Sequence, residues 1–441
     1  MTTKPERTDA PVPADSPSPS PTRIRRPLRT IGLLGLVALL AAGAIKVVPL
    51  VVPPRVIQAP APPREAVAGQ LIEATDLGTV SPDEVARQVT DGGLEAPPQP
   101  VAVRTVRLAY ATTDTEGRRQ VATGLLVFPA AHGDRLDPAV YAHGTSLSKG
   151  LVASMSDSTF LRSPGLALAA AGYAAVLPDY LGLGGGTGPH PYLHHASEAT
   201  AARDMLPAAA AYLRGEGAGL NQQVLISGFS QGGSAALALA RQLEADPAGW
   251  RPRAVAAISG PYDIAGSQLP AMRAGRVDPR ASTIYMAYVL TAWNDRLSIY
   301  TEPGELFRAP YAGRVERLMD GNHAELVTVL GLPATPGELL TDAGLAQLDR
   351  PTGAFAAGVA ENDQVCRNWV PSVPVQLYAT AADEQVAPGS TETCADALRG
   401  SGAGIEVTAL EVPATAQSAH IASSRVGLDR VLGWWSTEFP A

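Results

Sequence analysis

Cysteine is scarce in this chain: two in 441 residues, Cys366 and Cys394, too few for a zinc cluster or a disulfide-stapled miniature fold. Only three of the 34 basic residues are lysine, a bias that reads as base composition of the gene and excludes nothing. Charged side chains make up 17% of the chain and sum to a formal net charge of −8, which argues against a nucleic-acid partner, because a phosphate backbone demands a basic face. Histidine is limited to seven positions. His190 and His194 have the four-residue spacing of helical metal ligands, but Pro189 and Pro191 argue against a helix there and no third ligand is apparent, so no metal or other cofactor is expected. No internal repeat is evident.

Long apolar runs are missing with one exception. Residues 1–30 form a Pro- and Ser-rich leader that ends in the basic "RIRRPLRT", and the fifteen residues Ile31–Ile45 then carry no charge. A basic flank before an apolar segment is an export signature. Ala42-Gly43-Ala44 offers a cleavage site, whereas inclusion of residues up to 52 past Lys46 offers a retained anchor, and both readings stay open. The protein is therefore expected outside the cytoplasm, either secreted or attached to the outer face of the membrane through residues 31–52. In that compartment Cys366 and Cys394 are most simply a disulfide, with two buried thiols as the alternative.

Residues 53–99 read as a linker and N-terminal extension. From Pro100 the pattern is α/β. "VRTVRLAYATTDTEGRRQVATGLLVF" is a hairpin turning at "TDTEG", and short apolar strands then alternate with helices, among them a helix from Ser197, taken as its cap, to Arg214. Such alternation implies a mostly parallel sheet with helices on both faces. The alternation breaks at 264–368, where helical patterns predominate, and resumes at 369–441. The core is thus expected in 100–263 and 369–441, with 264–368 as a helical cap over the ligand-binding edge of the sheet.

One pentapeptide carries the chemistry. In "QVLISGFSQGGSAA" a strand runs into Gly228-Phe229-Ser230-Gln231-Gly232 and then into an alanine-rich helix, the context in which G-x-S-x-G presents a nucleophile on a tight turn. Serine is a weak nucleophile without a base held by an orienting acid. Asp383 follows the strand "VPVQLYAT", with Glu384 as its near competitor and Asp179 in "LPDYLGLGGG" as the second choice. His420 in "QSAH" falls in a loop after the next strand. The order serine, acid, histidine suits an open α/β sheet. The amide after the nucleophile, that of Gln231, and the amide of Thr145 in "HGTS" are the expected oxyanion donors. His143 reads as a loop organiser beside the pocket, and Tyr180, His194 and His195 as further pocket residues.

Together "YAHGTS", "LPDYLGLG" with "HPYLHHASEA", "GFSQGG", "ENDQVCRNWVP", "DEQVAP" and "SAH" resemble exported bacterial lipases and esterases of the α/β-hydrolase superfamily, related to the fungal secretory lipases. The resemblance runs from about Val101 to the end of the chain. It implies an α/β-hydrolase fold with a helical cap, hydrolysis of a small-molecule or lipid carboxylic ester through an acyl-enzyme, a triad of Ser230, Asp383 and His420, and oxyanion donors at Thr145 and Gln231. The chain departs from the pattern in setting its apolar segment behind a long leader. Two other functions are compatible with the same motifs: a serine peptidase, which would need charges to hold a peptide terminus, and a binding protein that has kept the fold.

Overall fold

The computed structural model describes Met1, Thr2 and residues 55–441. The leader from residue 3 onward and the apolar segment at 31–52 lie outside the described residues. Among the described residues no helix is long and apolar enough to cross a membrane.

The described strands are β1 (Leu71–Val80), β2 (Val103–Thr113), β3 (Arg119–Pro129), β4 (Arg135–Leu136), β5 (Pro138–Ala142), β6 (Ala174–Pro178), β7 (Gly219–Leu220), β8 (Gln223–Phe229), β9 (Arg251–Ile258), β10 (Val375–Ala379) and β11 (Ile405–Ala409). Nine of them form one sheet in the order β1-β2-β3-β6-β5-β8-β9-β10-β11, while β4 and β7 pair apart. The first three strands and the β3–β6 join are antiparallel, and the remaining joins are parallel. The hairpin runs in one register from Val103 opposite Pro129 to Thr113 opposite Arg119. In β5 and β6 every residue is buried, as a strand covered on both faces requires.

Helices supply both covers. Thr159–Ala170 and Ala419–Glu438 pack on one face, burying Leu166, Leu168, Leu428, Val431 and Trp435. His195–Gly215, Gln231–Ala245 and Gly389–Gly400 pack on the other through Met205, Leu206, Leu237, Leu243 and Leu398. From β5 the chain goes to β6 on one side, whereas β8 and β9 follow on the other, so the winding reverses beside β5. In open α/β sheets the crevice at the carboxyl ends of the strands flanking such a reversal is where ligands bind.

Between β9 and β10 the chain adds no strand to the sheet. Residues 264–362 are a run of helices with their own apolar core, centred on Pro279–Leu297. Asp278 caps that helix, its Oδ1 accepting from the Ala281 amide (2.8 Å). Trp293 packs on Phe355 (5.6 Å between centroids) and donates to the Tyr192 carbonyl (2.9 Å), so the helical segment is fastened to the loop before His195–Gly215. Cys366 and Cys394 form a disulfide between the end of this segment and the helix after β10.

Three local readings change. Residues 53–99 are more than a linker, because they contribute β1 as the edge strand of the sheet and the helix Pro82–Asp91. Ser197 lies inside the first turn of its helix rather than capping it; the helix starts at His195, and Ser197 Oγ donates back to the His194 carbonyl (3.0 Å). His420 is not in a loop but is the second residue of Ala419–Glu438, whose cap is Ser418, accepting from the Ile421 amide (3.1 Å).

Candidate active site

The turn between β8 and Gln231–Ala245 is built on close backbone contact. Ser230 has φ 56° and ψ −122°, a left-handed conformation that a non-glycine residue holds only when its surroundings fix it. They do: the Ser230 amide donates to the Ile258 carbonyl of β9 (2.8 Å). A Cβ at Gly228 would stand 2.1 Å from the Gly232 carbonyl oxygen, and one at Gly232 would stand 2.0 Å from the Ala142 carbonyl oxygen at the end of β5. The two glycines let strand, turn and helix approach closely enough to push the serine out over the sheet edge.

Two other chain segments meet Ser230 there. Its Oγ–H donates to His420 Nε2 (2.9 Å), and His420 Nδ1–H donates to Asp383 Oδ2 (2.8 Å). Because the carboxylate only accepts, this arrangement leaves Nε2 free to accept the serine proton. Asp383 Oδ1 accepts in turn from the amides of Gln385 (2.9 Å) and Val386 (2.8 Å), which fixes the carboxylate in the turn after β10. All three side chains are buried.

The competing acids are engaged elsewhere. Glu384 Oε2 accepts from the amides of Ala419 (3.0 Å) and His420 (3.2 Å), and its Oε1 accepts from the Ser418 hydroxyl; it holds the start of the histidine's helix rather than the imidazole. Asp179 is fully buried and accepts from Thr123 Oγ1 (2.7 Å) and from Ser154, and burial pushes its pKa up.

Thr145 lies in the loop after β5, and its Oγ1 shares a hydrogen bond with the Tyr192 hydroxyl (2.9 Å). Among the described residues the backbone amides of Thr145 and Gln231 have no acceptor, which leaves both N–H groups available. The Gln231 side chain is firmly held: Nε2 donates to Glu198 Oε1 (2.6 Å) and to His190 Nε2 (2.8 Å). His190 Nδ1–H donates to the Leu181 carbonyl (2.8 Å), so its Nε2 is the accepting nitrogen, and burial holds the ring neutral with a pKa of about 4. Burial alone would raise the pKa of Glu198, but the hydrogen bond and charge of His195, with His190 and Gln231, bring it below the usual value. Sequence reasoning missed Glu198; a lone acid among small residues, one turn into a helix, was the only signal.

Ser230 opens onto two spaces. A cavity of about 230 Å³ includes His143, Thr145, His420, Tyr285, Glu325 and Arg425 in its wall. A narrower apolar pocket of about 40 Å³ reaches from Ser230 and Gln231 to Leu269, Met286 and Trp293 under the helical segment. His143 is at the cavity and organises its loop, its Nδ1–H donating to the Gly144 carbonyl (2.7 Å). The other expected pocket residues are not there. Tyr180, at φ 70°, is buried, its ring tilted against that of His143 (4.4 Å) and stacked on that of His190 (5.8 Å), and its hydroxyl donates to the His143 carbonyl (2.9 Å). His194 and His195 line a separate cleft of about 370 Å³ that does not reach Ser230. There His194 pairs with Glu361 (3.2 Å), and His195 donates to Glu198 (3.0 Å). The left-handed turn at Leu193 (φ 55°) accompanies this change of direction. Among the described residues no group of three or more His, Cys, Asp or Glu is arranged to hold a metal ion.

The fold and strand order are those of an α/β-hydrolase. The solved structures most like it include the rice cell wall degrading esterase LipA from Xanthomonas oryzae, at 24% identity and a TM-score of 0.73, over 84% of this chain and 98% of that one. A putative hydrolase from Legionella pneumophila matches at 21% identity and a TM-score of 0.74 over 84% and 99% of the two chains. Candida antarctica lipase A in its closed state matches at 13% identity and a TM-score of 0.55 over 80% and 79%. The expected likeness to bacterial esterases and a fungal lipase is thus present in the fold. No protein-family profile matches the chain, and no curated protein matches it in sequence.

Proposed function

We propose that this chain is an exported serine hydrolase that cleaves carboxylic esters. The single observation that carries the reading is the hydrogen-bonded series Ser230–His420–Asp383 at the carboxyl edge of the sheet, open to a cavity on one side and an apolar pocket on the other. His420 takes the Ser230 proton as Oγ attacks the ester carbonyl, and Asp383 holds the tautomer and stabilises the imidazolium. The tetrahedral oxyanion is met by the amides of Gln231 and Thr145, the former at a helix N-terminus. As the C–O bond breaks, His420 returns the proton to the departing alcohol. Water then attacks the acyl-enzyme by the reverse proton route, releasing the acid and restoring Ser230.

The two spaces flanking Ser230 suit the two halves of an ester, and the helical segment 264–368 acts as the cap that closes over them. The esterase and lipase folds among the structural neighbours support the same reaction class. The disulfide supports an oxidising compartment, in keeping with a basic leader before an apolar segment.

The test is turnover of p-nitrophenyl esters from acetyl to palmitoyl by the full chain and by Ser230→Ala. The wild type should hydrolyse at least one, and the variant should lose about five orders of magnitude in kcat while staying folded, since triad members act as a unit. A folded wild type that cleaves no ester would overturn the reading.

A further inference from the structure

We infer that the larger cavity beside Ser230 ends in a carboxylate-binding site made by Arg425, so that the ester cleaved here carries a second, ionised carboxyl group remote from the scissile bond. The inference rests on the proposed ester hydrolysis and adds the class of substrate.

Arg425 forms part of the same cavity wall as Ser230 and His420 and is only 9% exposed. Among the described residues its guanidinium donates no hydrogen bond and has no carboxylate within ion-pair distance, and Nη2 is buried without a partner. A guanidinium carries five N–H donors, and leaving them unmatched in a buried setting is unfavourable enough that buried arginines are ordinarily paired. Burial drives its pKa down to about 10, so it keeps its charge at neutral pH. The nearest candidate partner on its own helix, Asp429, is not within salt-bridge distance, and its Oδ1 accepts from the Glu95 amide (3.1 Å). The other carboxyl group of the cavity, Glu325, is taken by the Leu147 amide (3.3 Å) and forms no ion pair with Arg425.

The surroundings suit an anion. The guanidinium carbon lies over the Phe160 ring at 3.7 Å, which covers one face and leaves the donors in the plane free. Phe160 is the second residue of Thr159–Ala170, and that helix starts at the cavity, with Ser158 in the wall and making no side-chain capping bond. The Ser158 carbonyl already accepts from the amides of Leu161 (3.0 Å) and Arg162 (3.1 Å), which leaves the first two N–H groups of the helix at this end of the cavity. Arg425 comes five residues after His420 in one helix, about 7.5 Å further along its axis. An extended chain of about six atoms is as long as that rise, which sets the first chain length to test.

The experiment compares kcat/KM within two matched pairs of esters, using the full chain, Arg425→Met, and Ser230→Ala as the blank. One pair places the carboxylate on the acyl half: the mono-p-nitrophenyl ester of hexanedioic acid against p-nitrophenyl hexanoate. The other places it on the alcohol half: 4-(butanoyloxy)benzoate against its methyl ester. The wild type should favour the carboxylated member at least tenfold in one pair, which identifies the half that reaches Arg425, and Arg425→Met should lower that ratio at least tenfold. Ratios of one or less in both pairs, or a ratio untouched by the substitution, would overturn the inference. Calorimetric titration of the wild type with hexanoate and with hexanamide requires neither turnover nor a folded variant. Selective binding of hexanoate supports the site even if no ester is cleaved, and equal or absent binding of the two rejects it.

Discussion

Replacing Asp383 by Asn tests the base and its orienting acid with almost no change of shape. Asp383 Oδ1 accepts from the Gln385 and Val386 amides at 2.9 and 2.8 Å, so the amide oxygen of Asn must stay on that side to keep both bonds. The new NH2 then faces His420 Nδ1, where Asp383 Oδ2 stood at 2.8 Å. A donor there requires Nδ1 to accept, which moves the imidazole proton to Nε2 and points it at the Ser230 hydroxyl, 2.9 Å away. A histidine in that tautomer cannot receive the serine proton. The predicted loss is therefore about four orders of magnitude in kcat, about 5 kcal/mol of transition-state stabilisation, with KM within a few-fold of wild type. Steady-state hydrolysis of p-nitrophenyl butanoate reads the loss, and a thermal melt shows that the fold is intact. Glu384→Gln is the comparison, since an amide oxygen still accepts at the start of the histidine's helix; it should lose less than tenfold. If Asp383→Asn kept more than a tenth of the activity while Glu384→Gln abolished it, the acid would be Glu384 and the arrangement of Asp383, His420 and Ser230 would not be the working one.

Two further predictions concern the scaffold. Gly232→Ala should lose about 3 kcal/mol of stability or more, with activity falling at least a hundredfold, because its Cβ would meet the backbone oxygens of Ala142 at 2.0 Å and His143 at 2.7 Å and neither is a flexible group; a urea melt matching wild type would refute this. His190 predicts an acid-side loss of stability: the folded chain keeps it neutral down to about pH 4, whereas the unfolded chain protonates it near the ordinary 6.5, so its contribution is constant above about pH 6.5, falls by about 3 kcal/mol between there and pH 4, and is constant again below. Urea unfolding at pH 7 and pH 4.5 should show that His190→Asn removes most of this difference, and an unchanged difference would assign the pH dependence to other groups.

What the sequence disclosed and what it hid have separate physical causes. The turn at Ser230 was legible because a strand, a nucleophile and a helix cannot approach so closely without glycine at positions 228 and 232, and that need is written in residue type. Asp383 and His420 were legible from their places after successive strands. The edge strand β1 was not, because "LIEATDLGTV" alternates poorly, and its pairing with β2 is interrupted by two register shifts, between Leu71 and Glu73 and between Asp76 and Gly78. Tyr180, His194 and His195 were misplaced for another reason. Which way a loop side chain points depends on single backbone angles, such as the positive φ of Tyr180 and Leu193, and residue type does not announce these. Arg425 was equally silent, since an arginine in a closing helix is indistinguishable in sequence from a solvated one.

The tripeptide Asp383-Glu384-Gln385 explains why two adjacent acids stand where the proposed reaction needs one. Asp383 sets the rotation of the His420 ring through Nδ1, and Glu384 sets the position of its backbone by accepting from the Ala419 and His420 amides. Gln385 joins the pair to the helical segment: its Oε1 accepts from the Tyr285 hydroxyl (2.5 Å), and its Nε2 donates to Ser418 (3.2 Å) and Glu384 (3.3 Å). The same segment reaches the loop through main-chain groups, as the Asp278 amide donates to the Glu384 carbonyl (2.6 Å) and Gln268 Nε2 donates to the Gln385 carbonyl (2.9 Å). A displacement of the segment large enough to admit a bulky ester would have to keep or break these bonds. Keeping them confines the movement to parts of the segment away from Gln268, Asp278 and Tyr285. Breaking them would loosen the base at the moment of substrate entry and restore it only on closure. The hydrogen bonds around Gln385 therefore make the geometry of the proposed base depend on the position of the helices above it, although none of those helices supplies a member of the proposed triad.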